Sequence, residues 1–131
     1  MKILIIEDYQ PSALVTSMYL EHCGYECEIA ENGIKALEKF KEGKYFAVLM
    51  DIKMGEFDGY KTTHAFRQYE NETAQPPVKI IGVTGLDSPQ DKKKCMDAGM
   101  NDYLCKPFDF CELREKLAAE GNPTLIKCSF D

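Results

Sequence analysis

No run of this chain approaches the ~18 apolar residues that a bilayer crossing needs. No export leader is expected either. The opening MKILIIEDYQ has a single Lys and a short apolar run before two acids, and no small-residue cleavage site follows. The reading is a cytosolic chain without membrane insertion. Basic residues are scarce: 16 Lys and Arg stand against 22 Asp and Glu, a net charge of -6. That disfavours direct nucleic-acid binding, because phosphate backbones require a basic surface. The one basic cluster, Lys92-Lys93-Lys94, reads as a solvated helix face. No C-x2-C occurs, and His22 and His64 are not spaced with cysteines as zinc ligands would be. The six cysteines (23, 27, 95, 105, 111 and 128) lack the export signal that a disulfide framework implies. They are expected as reduced, mostly buried thiols behaving as small hydrophobes. Internal repeats, long linkers and low-complexity stretches are absent, and 131 residues suit one domain around one core.

What is present is a strict alternation. Lys2–Ile6 is a continuous apolar, β-branched run, the mark of a strand covered on both faces, and it ends in Glu7-Asp8. Pro11-Ser12 opens a helical pattern with Leu14, Val15, Met18 and Tyr19 on one side, stopped by Gly24. Glu26–Ala30 reads as a second strand. After an Asn32-Gly33 turn comes an amphipathic helix through Ile34, Leu37 and Phe40, stopped at Gly43. Tyr45–Met50 is a third buried strand, ending at Asp51. A polar helix follows from Tyr60 to Tyr69, then a loop from Asn71 to Pro77. Val78–Val83 is a fourth strand ending at Thr84-Gly85, and Ser88-Pro89 starts a helix that Gly99 ends. Tyr103–Cys105 is a short fifth strand before Lys106-Pro107. Asp109 caps a last helix through Leu113 and Leu117, closed by Gly121. The stretch 120–131 has no clear period and reads as a tail or the start of a following segment.

Such alternation argues for a parallel sheet with helices on both faces, and in these sheets ligands bind beyond the carboxyl ends of the strands. Those ends hold Glu7 and Asp8, Asp51, Thr84 and Lys106. Three adjacent carboxylates repel one another unless a cation sits among them. An all-oxygen donor set suits Mg2+ better than zinc. A carboxylate nucleophile, a metal, a hydroxyl donor and an ammonium together suit the handling of a phosphoryl group.

The chain here resembles the response-regulator receiver family. The resemblance rests on Ile5-Ile6-Glu7-Asp8, on Val48-Leu49-Met50-Asp51-Ile52-Lys53-Met54, on Asp58-Gly59, on Gly82-Val83-Thr84-Gly85 and on the run from Asp97 to Phe108. It extends from Lys2 to about Leu117 and implies a receiver domain over 1–119. The implied fold is an α/β, flavodoxin-like, doubly wound five-stranded parallel sheet of order 2-1-3-4-5 with five helices. The resemblance also implies roles. Asp51 would accept the phosphoryl group. Asp8 and Asp51 would bind Mg2+ with the Lys53 backbone carbonyl, and Glu7 would stand beside the metal, often through water. Thr84 would be the switch hydroxyl, Tyr103 the aromatic switch, and Lys106 the lysine on a phosphoryl oxygen, before a peptide bond to Pro107 that is commonly cis.

The implied function is that of a two-component or phosphorelay receiver. It would take a phosphoryl group from a phosphohistidine onto Asp51 with Mg2+ and switch its surface for output. This is a signalling domain whose only chemistry is self-phosphorylation and autodephosphorylation. The implied partner is a sensor histidine kinase or a histidine-phosphotransfer domain; the output partner is unspecified, and dimerisation on phosphorylation stays open. The run from Lys92 to Leu104 looks most like receivers of hybrid sensor kinases or phosphorelays. A free-standing regulator is the close rival, to which Met1 just before the first strand adds a little.

The chain departs from the family at Gly55, where Pro is usual, and at Phe57, where Met is common. Lys53 puts a cationic side chain near Asp51 and is expected to alter the lifetime of the phosphoaspartate. Other classes fit worse. A haloacid-dehalogenase-like enzyme needs D-x-D at the end of the first strand, where this chain has Asp8-Tyr9-Gln10. A flavin carrier needs a loop rich in Ser, Thr and Gly there. A degenerate receiver that only binds proteins is the remaining alternative, and this chain keeps all five key groups.

Overall fold

The continuous apolar runs become the inner strands of a sheet with a core on each face. The structure, a computed structural model, describes residues 1–52, 59–85, 89–106 and 108–118. In chain order the elements are β1 (Lys2–Ile6), α1 (Gln10–His22), β2 (Glu26–Ala30), α2 (Gly33–Glu42), β3 (Ala47–Asp51), α3 (Gly59–Glu72), β4 (Lys79–Thr84), α4 (Pro89–Ala98), β5 (Asp102–Cys105) and α5 (Phe110–Ala118). All pairings are parallel, as the alternation argued, and the order β2-β1-β3-β4-β5 is the one the family resemblance implied.

Alternation along each inner strand sends side chains to opposite faces. Leu4, Ile6, Val48, Met50 and Ile80 join Ala36, Phe40, Phe66, Cys95 and Met100 beneath α2, α3 and α4. Ile3, Ile5, Ala47, Leu49 and Ile81 join Ala13, Leu20, Leu113 and Leu117 beneath α1 and α5. Phe40 stacks on Phe66 at 4.2 Å, joining α2 to α3, and Tyr19 stacks on Phe110 at 4.6 Å, joining α1 to α5.

Helix α1 corrects the expected packing face. Ala13, Thr16, Ser17, Tyr19 and Leu20 are buried, while Leu14, Val15 and Met18 stand 56%, 53% and 61% exposed. The buried stripe keeps the helical spacing, but beside Tyr19 and Leu20 it is built of the small Ala13, Thr16 and Ser17, so hydrophobicity alone misplaces its phase. Likewise α2 packs through Ala36 and Phe40 and leaves Ile34 exposed. Helix α3 runs past the expected end at Tyr69, through Asn71 and Glu72. At its start α2 is capped by the Asn32 side chain, which accepts from the Lys35 N–H at 2.8 Å. The expected cap on α5 is present, with Asp109 Oδ1 accepting from the Cys111 N–H at 2.7 Å. Gly24, at φ +98°, ends α1 in a conformation that suits glycine.

The cysteines differ from expectation in part. Cys27, Cys95, Cys105 and Cys111 are free thiols, but only Cys95 is fully buried and Cys111 is exposed. Cys23 is disulfide-bonded, against the expectation of reduced thiols throughout. The helix start at Ser88, the stop at Gly121 and the tail over 120–131 lie outside the described residues.

Candidate functional site

Parallel strands bring their carboxyl ends to one edge, and β1, β3 and β4 are neighbours there. Glu7 follows β1 and is 7% exposed; Asp51 ends β3, also 7% exposed; Thr84 ends β4 and is buried. Asp8 is exposed at the mouth. Carboxylate oxygens of Glu7, Asp8 and Asp51 all lie within 4.8 Å of one another. Lys106, just past β5, reaches across. Its Nζ stands 3.3 Å from Glu7 Oε1 and 3.5 Å from Asp51 Oδ2. Its backbone N–H donates to the Thr84 carbonyl at 2.6 Å, which ties the end of β4 to that of β5.

Three carboxylates against one ammonium leave an excess of negative charge in a half-buried space, an arrangement that favours a hard divalent cation. Burial pushes the Glu7 carboxyl up. The hydrogen bond it shares with Asp51 and the Lys106 ammonium outweigh this and hold it below the usual carboxylate range. The donor set, oxygens only and open to solvent on the Asp8 side, fits Mg2+ rather than a thiolate-preferring metal.

Gly59, at the start of α3, is fitted tightly against the end of β3. Its N–H donates to the Ile52 carbonyl at 3.0 Å. A Cβ there would lie 2.6 Å from the Asp51 carbonyl oxygen and 2.9 Å from Ile52 Cα, closer than real contacts allow.

Five of the expected site residues (Glu7, Asp8, Asp51, Thr84 and Lys106) are thus brought to one edge. Tyr103 is not at that edge. It lies on β5 opposite Gly82 of β4, partly buried against the α4-side core. Lys53, Gly55, Phe57, Asp58 and Pro107 lie outside the described residues.

Sequence reasoning missed two features. Beside the carboxylates opens an apolar groove of ≈ 560 Å³ between α1 and α5, lined by Tyr9, Pro11, Val15, Lys106, Phe108 and Phe110. It leads onto the exposed Leu14 and Met18 of α1. The misjudged phase of α1 hid this surface. At the opposite edge of the sheet, Arg67 of α3 anchors the loops before β4 and β5. Its Nε donates to the Gly99 carbonyl at 2.9 Å, Nη1 to Glu70 Oε1 at 2.9 Å and to the Val78 carbonyl at 2.8 Å, and Nη2 to Asn101 Oδ1 at 2.9 Å.

A five-stranded parallel α/β sheet of this order, with clustered acids and a lysine at its carboxyl edge, defines a class of signalling domain. Comparison with known proteins agrees. The response regulator receiver domain family matches residues 3–118, and the chain belongs to that family. It is therefore a receiver domain of two-component and phosphorelay signalling. It is 40% identical over 115 residues to hybrid signal transduction histidine kinase B of Dictyostelium discoideum. The match takes in 82% of this chain but only 6% of that kinase's length. Among solved structures, the Saccharomyces cerevisiae co-crystal of the histidine phosphotransfer protein Ypd1 and the receiver domain of Ssk1 is similar, with TM-score 0.87 and 28% identity. That match covers 100% of this chain and 94% of the other. The receiver domain of the Pseudomonas aeruginosa sensor histidine kinase PA1611, crystallised with magnesium in its active-site cleft, matches with TM-score 0.78 and 36% identity. Here 88% of this chain and 93% of the other are covered.

Proposed function

We propose that this receiver takes a phosphoryl group from a phosphohistidine onto Asp51 in a Mg2+-dependent step, and that the new charge switches its surface. The observation that supports this most directly is the position of Lys106 Nζ, 3.3 Å from Glu7 and 3.5 Å from Asp51, beside three gathered carboxylates. Glu7, Asp8 and Asp51 would hold the ion, with the Lys53 carbonyl as a further ligand. When bound, Mg2+ supplies neutralisation of the phosphoryl oxygens. An Asp51 carboxylate oxygen forms the new bond to phosphorus as the bond to the imidazole nitrogen breaks, and the imidazole leaves with that electron pair. Lys106 meets the charge on one phosphoryl oxygen and the Thr84 hydroxyl donates to another. The anion on Asp51 then carries about -1.5 to -2 charge and draws Thr84 and Lys106 inward. Tyr103 follows as the switch, biasing a pre-existing equilibrium.

The donor is read as a histidine kinase or a histidine-phosphotransfer domain. The groove beside Asp51 and the exposed Leu14, Val15 and Met18 offer such a partner an apolar seat adjoining the acceptor. Co-crystallisation of a similar receiver with a phosphotransfer protein supports that donor class. Residues 1–119 are read as the receiver unit. Among the described residues no helix is long and apolar enough to cross a membrane. Incubation with Mg2+ and acetyl phosphate, followed by intact mass, tests the reading. Wild type gains one base-labile phosphoryl group and Asp51→Asn gains none; equal labelling of both overturns it.

A further inference from the structure

Strand β5 is the edge of the sheet, so helices from both faces can meet around it. They do so at Tyr103. Lys92 of α4 places its Nζ 5.7 Å from the centre of the Tyr103 ring, and Lys116 of α5 places its Nζ 6.0 Å from the same centre. Both distances fall within cation–π range. The second lysine is itself held: Lys116 Nζ is 3.0 Å from Asp102 Oδ1, and the same oxygen accepts the Tyr103 backbone N–H at 2.8 Å. Lys92, Lys116, Asp102, Tyr103, Cys105 and Glu112 line a polar cleft of ≈ 390 Å³ on this edge. A ring standing partly exposed on an edge strand would ordinarily be free to change rotamer. This one is approached by a cation from each side of the sheet.

We propose that Lys92 and Lys116 are positioning residues that clamp the Tyr103 ring where it now stands, partly buried at the β5 edge, and so set the resting bias of the switch. The proposal rests on the reading of Tyr103 as that switch. Each ammonium stabilises the ring only where it now stands. Removing either raises the population of the alternative ring position, by about two- to fivefold per lysine at an exposed site. A small phosphodonor that reacts through the alternative state then phosphorylates Asp51 faster by the same factor.

The test uses the full chain with Mg2+ and acetyl phosphate. Lys92→Met, Lys116→Met and their double variant keep the aliphatic stems and lose the charge; the paired Lys→Arg variants keep a cation over the ring. Two readouts are taken. The first is the NMR shift of the lysine ε-methylenes, which the Tyr103 ring current moves upfield in wild type and not in Tyr103→Ala. The second is the phosphorylation rate. The expected result is an upfield shift on both lysines, about two- to fivefold faster phosphorylation for each Met variant, and wild-type rates for the Arg variants. Absence of the ring-current shift overturns the clamp. So does a Met double variant with the wild-type rate while Tyr103→Ala alters it. If Tyr103→Ala itself phosphorylates at the wild-type rate, the switch reading fails and the proposal falls with it. The ring-current data tell these failures apart.

Discussion

Replacing Arg67 with Met should be the most damaging change outside the apolar cores. Arg67 fills four hydrogen bonds from a side chain only 19% exposed, and its partner Glu70 has a side chain 4% exposed. Met keeps much of the stem and its packing, so the loss is polar. It strands the Glu70 carboxylate with the Val78 N–H, 2.7 Å from Oε2, and removes the donors from the Val78 and Gly99 carbonyls. Breaking a buried ion pair on one side costs about 3–5 kcal/mol. The surviving Val78 bond places this case at the low end, about 3 kcal/mol. For a domain of this size that lowers the melting temperature by roughly 10 °C. Urea unfolding followed by circular dichroism measures it directly. The double variant Arg67→Met, Glu70→Met should recover at least about 1 kcal/mol, because no charge is then left buried alone. Labelling of Asp51 by acetyl phosphate should be unchanged in folded protein, because Arg67 acts at the far edge of the sheet. A loss below about 1 kcal/mol, or a double variant worse than the single, would refute the reasoning.

Three further outcomes follow from the geometry. Gly59→Ala forces a Cβ to within 2.6 Å of the Asp51 carbonyl, so the strand end must shift; a stability loss of about 1–3 kcal/mol and a drop in acetyl-phosphate labelling of at least about tenfold are expected. Lys106→Met removes the one cation near Glu7 and Asp51 among the described residues, so Mg2+ should bind about tenfold tighter by calorimetry while phosphorylation slows about a hundredfold. The Glu28 carboxyl is held below its ordinary range by hydrogen bonds from Lys2 and the Tyr45 hydroxyl. Its stabilisation is present above the unfolded value, about 4.3, and is lost as pH falls through the lower folded value. The gap in melting temperature between wild type and Glu28→Gln should therefore be open near neutrality and closed near about pH 3.

The fold was legible because a strand covered on both faces needs a continuous apolar run, and Lys2–Ile6, Ala47–Met50 and Lys79–Val83 supply three. Once those strands are parallel, their ends are neighbours, so Glu7, Asp8, Asp51, Thr84 and Lys106 could be gathered before any coordinates. The errors came where hydrophobicity and burial part company. On α1 the packed stripe is Ala13, Thr16, Ser17, Tyr19 and Leu20; Tyr19 is buried as expected, but Leu14, Val15 and Met18 face out. On α3 the polar Asn71 and Glu72 looked like loop, yet they extend the helix. Arg67 was unreadable for another reason. Its partners at 78, 99 and 101 are far along the chain, and no local pattern announces a fork whose donors meet two different loops.

The alternation along the inner strands has an evolutionary consequence. Odd-numbered residues of β1 serve the α1 and α5 side and even-numbered ones serve α2, α3 and α4, so the sheet insulates two halves that meet chiefly at its rims. Substitutions that retune one half are then nearly additive with those in the other. The groove between α1 and α5 could then be retuned with little effect on the core beneath α2, α3 and α4, the two halves staying coupled at the β5 rim, where Lys92 and Lys116 both reach Tyr103. Duplicated copies of such a domain could thereby change one half first and the other later, with the carboxyl edge of the sheet left untouched between the two steps.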